Sequence, residues 1–131
     1  MANATTEFTV ENLYESALAL LSEEKQRVKD YPKFKIALTN QVLAECFDTN
    51  NTLRKIEGLE IIPKNEMPYV QSETDTIPYD IRLIRECMPY GLAALLVMDD
   101  DKEKCAVFSN QFELLKSKFT KAQFEDIENH Y

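Results

Sequence analysis

The sequence predicts an all-α fold: a bundle of about four helices, with a long ordered loop between helices 2 and 3 and an extended C-terminal tail. Three observations predict it. Only 2 of 131 residues are glycine, too few for the many tight turns of an all-β domain. Apolar residues recur three and four apart in four separate stretches, which is helical spacing. Three of the five prolines fall between positions 63 and 78, so the interruptions are gathered in one place.

A chain of this length holds one hydrophobic core. Residues 1–8 read as a flexible polar leader, 9–119 as the helical domain and 120–131 as a tail. Thr9 is placed to cap the first helix, because its hydroxyl can accept from a free amide of the first turn. Val10, Leu13, Ala17, Leu20 and Leu21 then form one apolar stripe, and the helix should end near Glu24. A charged stretch follows, from Glu23 to Asp30.

Pro32 suits the first turn of a second helix, where a missing amide costs nothing. Phe34, Leu38, Val42, Leu43, Cys46 and Phe47 supply its inner face. Asp48-Thr49-Asn50-Asn51 is a weak point, since these side chains compete for backbone hydrogen bonds, and a break or bend is expected there. Leu53 and Ile56 resume the stripe, and Gly58 stands where a left-handed residue would end the helix.

Residues 59–78 cannot be one helix, because Pro63, Pro68 and Pro78 interrupt them. Ile61-Ile62 and Tyr69-Val70 suit short extended pieces, with room for one small hairpin. Two readings of this excursion stand open. It reaches a neighbouring subunit or tail-side partner through Ile61, Met67 and Tyr69, or it wraps the helices with those residues as pins.

A third helix should start near Pro78 or Tyr79, carrying Ile81, Leu83, Ile84, Cys87, Met88, Leu92 and Leu95. Pro89 predicts a kink or restart around Met88. Gly91, Ala93 and Ala94 leave room for a neighbouring helix. Asp99-Asp100-Asp101 ends this run and caps a fourth helix, whose seam is Cys105, Phe108, Phe112, Leu115 and Phe119. Beyond Thr120, Phe124, Ile127 and Tyr131 punctuate an acidic segment at helical spacing. Such a segment orders against a partner's groove or stays loose.

Lysine and arginine number 15 against 23 aspartates and glutamates, a net charge of −8. That balance disfavours adhesive nucleic-acid binding, yet suits a wall that DNA slides past. Cys46, Cys87 and Cys105 lack metal or redox spacing and read as free thiols packed like small apolar residues. The N-terminus lacks a signal-peptide pattern, and the longest non-polar run, Gly91 to Met98, is too short to span a bilayer. A cytoplasmic protein, or one packed into a particle assembled there, is expected.

Catalytic chemistry finds little support. The sole histidine, His130, is next to the last residue, a poor place to preorganise a nucleophile's base. No P-loop, dinucleotide fingerprint or EF-hand loop occurs. The three aspartates could hold a divalent ion, but such sites draw ligands from alternating loop positions. A helix stop and cap is the plainer account. No catalytic residue, metal or cofactor is therefore expected.

The layout resembles the head-to-tail adaptor (head-completion, or packaged-DNA-stabilisation) proteins of tailed phages. The stretches that carry the resemblance are Leu38-Thr-Asn-Gln-Val-Leu-Ala-Glu-Cys-Phe47, Asn51-Thr-Leu-Arg-Lys-Ile-Glu-Gly58, Thr76-Ile-Pro-Tyr79 and Pro89-Tyr-Gly-Leu-Ala-Ala-Leu-Leu96. The acidic break, the helix from Ala106 to Phe119 and the tail to Tyr131 complete it. The resemblance implies a non-enzymatic virion protein that forms a ring, a dodecamer, beneath the portal protein. Such a ring extends the DNA channel and meets a tail or head-completion protein. DNA would pass through without sequence-specific binding. Phe119, Phe124, Ile127 and Tyr131 would then dock on the portal. The alternative is a small acidic helical module that regulates one protein partner; a metal hydrolase built on the aspartates ranks below both.

Overall fold

The computed structural model describes residues 8–22 and 31–129, with side chains at 8–22 and 34–120. Five α-helices follow in order: α1 (Val10–Leu20), α2 (Tyr31–Ile56), α3 (Ile81–Glu86), α4 (Met88–Leu96) and α5 (Lys102–Asn129), with one 3-10 turn at Lys64–Glu66. The described residues contain no strand, only an isolated antiparallel bridge between Thr9 and Thr76. The all-α expectation holds.

Thr9 caps α1 as expected. Its hydroxyl accepts from the Asn12 amide at 3.2 Å, while the Asn12 side chain accepts from the Thr9 amide at 3.0 Å. Two further first-turn amides leave the helix altogether. Val10 N–H donates to the Asp75 carbonyl and Glu11 N–H to the Glu73 carbonyl, each at 3.0 Å. The orphan donors of a helix start are thus met by a distant segment. Phe8, assigned to the leader, is held too, because its carbonyl accepts from Ile77 N–H at 2.8 Å. Residues 1–7 of the leader lie outside the described residues. The helix ends at Leu20 rather than near Glu24, and Ser22 takes a left-handed φ of 58° that cannot continue it.

α2 runs unbroken through Asp48–Asn51, where a break or bend was expected. The asparagines do not compete with their own backbone, because they have partners elsewhere. Asn50 Oδ1 accepts from the Asp80 amide at 2.8 Å, and Asn51 bonds to Ile62. Gly58 ends the helix at φ 77°. Its N–H reaches the Lys55 carbonyl at 3.2 Å and Leu59 N–H the Arg54 carbonyl at 2.8 Å. That pair of bonds is the Schellman closure.

The expected third helix is split into α3 and α4 at Cys87. Pro89, in the first turn of α4, has no amide to carry α3 onward. Asp80 caps α3 through the Arg82 amide at 2.9 Å, and Asp101 caps α5 through the Lys104 amide at 3.0 Å.

α4 is the hub, packed against α1, α2, α3 and α5. Met88, Leu92 and Ala93 are fully buried, with Leu13, Tyr14, Val42, Leu43 and Ile84 around them. Gly91 lets α5 approach: a Cβ there would stand 2.8 Å from the Phe112 ring. Leu20, Leu38, Leu95, Phe108, Leu115 and Phe119 pack half-buried at the edge of this core. Cys46 and Cys87, distant in sequence, meet inside it. The hydrogen-bonded thiol of Cys87, together with burial, pushes the Cys46 thiol far above its usual range. Both are free thiols, as is the half-buried Cys105.

Candidate docking surfaces

The excursion from 59 to 78 is an ordered strap, and its order comes from α2. Pro63 and Pro68 lack amides, so the segment is poorly suited to strand pairing, and no hairpin forms. Two asparagine side chains of α2 take the place of a partner strand. Asn51 accepts from Ile62 N–H at 2.8 Å and donates to the Ile62 carbonyl at 2.9 Å. Asn40 repeats this at Val70, accepting at 2.7 Å and donating at 2.9 Å. Eleven residues are about three helical turns, so both clamps stand on one face, roughly 16 Å apart. The strap therefore runs antiparallel to α2.

Its far end is tied more heavily. Val70, Ile77 and Tyr79 are buried, and the Tyr79 hydroxyl donates to the Leu43 carbonyl at 2.7 Å. Burial pushes that phenol above its ordinary range. Lys35, 6% exposed, bridges Glu11 of α1 at 2.8 Å and Glu73 of the strap at 2.7 Å. Its ammonium also sits 4.5 Å from the Tyr14 ring centre. The Asp75 carboxylate closes a local turn by accepting from the Gln71 and Ser72 amides.

Ile61, Met67 and Tyr69 are not the pins of this strap. They are 55%, 36% and 68% exposed, and Leu59 is half exposed. Extended backbone points successive side chains to opposite sides. Ile62 and Val70 accordingly turn towards α2, while their neighbours Ile61 and Tyr69 turn out. The backbone is a structural wrap, yet the side chains expected to meet a partner are presented to solvent.

α5 carries two faces. Its seam, with Phe108, Phe112, Leu115 and Phe119, lies on the core. Phe119, expected among the docking residues, packs half-buried on that core. A second stripe, Lys104, Val107, Gln111, Leu114 and Lys118, follows the same three-four spacing outside the seam. Val107 is 63% and Leu114 56% exposed. The α5 backbone stays helical through Asn129. The Phe124 and Ile127 side chains, and Tyr131 altogether, lie outside the described residues.

Among the described residues, no group of three histidine, cysteine, aspartate or glutamate residues is placed to hold a metal ion. Asp99 and Asp100 are exposed, and Asp101 is engaged as the α5 cap. An open cleft of about 370 Å³ between α1, α3, α4 and α5 is bordered by Ser16, Arg85, Glu86, Tyr90 and Gln111. No described helix is long and apolar enough to cross a membrane. No protein-family model, curated protein or solved structure matches the chain.

Sequence reasoning missed Asn40, Asn51 and Lys35, which hold the strap in place. A signal was present. Asparagine is unfavourable inside a helix, and two of them three turns apart on one face suggest tertiary partners.

Proposed function

We propose that this chain is a structural head-to-tail adaptor of a tailed phage, which joins a ring under the portal, presents its exposed strap to a neighbour in that ring and connects the ring to the tail. It acts without catalytic residues, metal or cofactor. Its place is the head–tail junction of the virion, reached by assembly in the host cytoplasm. The resemblance quoted above motivates this reading, and one observation carries it. A strap clamped at Ile62 and Val70 keeps Ile61 and Tyr69 in solvent. Large apolar side chains on a rigid, backbone-satisfied segment are preorganised for contact, so little ordering cost is left for binding. The long α5 supports the portal side of the reading. At about 100° per residue, position 124 falls about 120–140° round the helix from Phe112 and Phe119, and position 127 about 60–80°. Position 124 is thus well off the line of the core seam, while position 127 stands at its flank.

Purified protein added to isolated portals should build an extra ring of density in electron micrographs. Replacing Phe124, Ile127 and Tyr131 with serine should abolish that ring. Replacing Ile61 and Tyr69 with serine should leave the portal-docking tail intact and leave the ring incomplete. Portals that gain no density at saturating protein would overturn the adaptor reading.

A further inference from the structure

We infer that two copies of this chain associate head to tail, with the outer stripe of α5 on one copy seated against the strap of the next. The inference rests on the ring in the adaptor reading for its setting, and its evidence is the pairing of two surfaces on one molecule.

The first surface is the strap. Leu59, Ile61, Met67 and Tyr69 together expose on the order of 400–500 Å² of side chain, the size of the largest apolar patch on a typical monomer. Residues 59–75 hold one lysine, Lys64, against Glu60, Glu66, Glu73 and Asp75. Glu73 is engaged by Lys35 and Asp75 by its own turn. Glu60 and Glu66 stand among the apolar groups.

The second surface is the α5 stripe. Val107 and Leu114 are seven residues apart, two turns, with Lys104 and Lys118 at the outer ends of the same line. Neither lysine has an ion pair among the described residues. On a chain of net charge −8, copies repel one another at most orientations. A lysine-flanked apolar line against a glutamate-bearing apolar strap is an exception, since apolar contact and charge agree there. Stripe against stripe would bring lysines together and strap against strap would bring glutamates together, so contact between the unlike patches is favoured over either patch pairing with itself. Contact between unlike patches repeats from copy to copy and closes into a ring when the rotation permits.

The test uses the full chain alone, without portals, in sedimentation at submillimolar concentration and low salt. Wild type should show a weight average that rises with concentration and falls with added salt. Leu114→Asp breaks the stripe and Tyr69→Asp breaks the strap. Each should weaken self-association at least tenfold with an unchanged melting temperature, because both residues are exposed. The decisive sample is their mixture. Each variant keeps the face the other has lost, so the mixture should give a one-to-one dimer and nothing larger. A mixture that stays monomeric, a wild type that stays monomeric, or either variant assembling like wild type would overturn the inference. Portal binding is scored separately. Self-association of this pattern without portal binding refutes the adaptor reading and leaves the inference standing. Portal binding by a chain that fails these samples does the reverse.

Discussion

Replacing Asn40 with alanine removes both hydrogen bonds that fix Val70, the 2.7 Å bond to its amide and the 2.9 Å bond to its carbonyl. Each such bond contributes about 0.5–1.5 kcal/mol net, so the gross loss is about 1–3 kcal/mol. Alanine is the better helix former by up to about 0.6 kcal/mol, which offsets part of this. The expected net destabilisation is about 0.5–2.5 kcal/mol. For a domain of this size that lowers the melting temperature by about 2–10 °C. The loss should be local before it is global. If the strap opens about 2 kcal/mol more easily, the Val70 amide should exchange its hydrogen about 30-fold faster, while amides in the middle of α4 slow or quicken only with global stability. Gln41→Ala, one position along on the exposed side of α2, is the control and should be neutral or slightly stabilising. Urea unfolding gives the first quantity and native-state hydrogen exchange the second. If Asn40→Ala changes neither stability nor Val70 exchange, the clamp does not hold the strap, and the case for a preorganised contact surface fails with it.

Gly91→Ala sets a methyl 2.8 Å from the Phe112 ring and should cost about 1–3 kcal/mol. Phe112→Ala alone should cost about 3–5 kcal/mol, and Gly91→Ala should be milder in a Phe112→Leu background, a coupling that a double-mutant cycle in urea would read. Lys35→Met leaves Glu11 and Glu73 facing a vacated charge; with Glu73 more than half in water, about 1–2 kcal/mol is expected, shrinking as salt is added. The hydrogen bond from Arg82 holds the Asp80 carboxyl below its usual range. A depressed folded-state pKa gives stability that is present above the unfolded value, about 4, and lost as pH falls through the folded one. Arg82 is half exposed, so this contribution should stay under about 1 kcal/mol. Asp80→Asn should therefore be weaker than wild type at pH 7, with the gap closing below pH 4 in paired urea titrations.

The helices were legible because each rests on local chemistry. Thr9, Gly58, Asp101 and Pro89 act within a turn or two of where they stand, so capping, left-handed closure and interruption could be read from neighbours alone. The strap's course was not legible, because its partners are far away in sequence. Asn50 and Asn51 looked like helix breakers from their intrinsic preference, and that preference is outweighed once the Asp80 amide donates to Asn50 Oδ1 and Ile62 pairs with Asn51. Extended backbone also explains why Ile61 and Tyr69 were assigned two opposite duties. Alternation tells that one of each pair Ile61-Ile62 and Tyr69-Val70 faces in, but the phase is set by which residue meets Asn51 or Asn40.

That phase changes how the strap's role has to be tested. Excising 64–75 would remove only surface residues if the strap were a loose arm. Here it would also take out buried Val70, the Glu73 partner of Lys35, and the Glu73 and Asp75 carbonyls that receive the first amides of α1. Uncapping one helix start costs about 0.5–2 kcal/mol, and a buried Lys35 left with Glu11 as its one carboxylate adds to it. Such a deletion should unfold the domain whether or not the strap ever meets a partner, so its loss of assembly would decide nothing. The wrap and the contact surface are two sides of one segment. Only changes confined to the outward side chains, at 59, 61, 67 and 69, separate what the strap does for the fold from what it offers a partner.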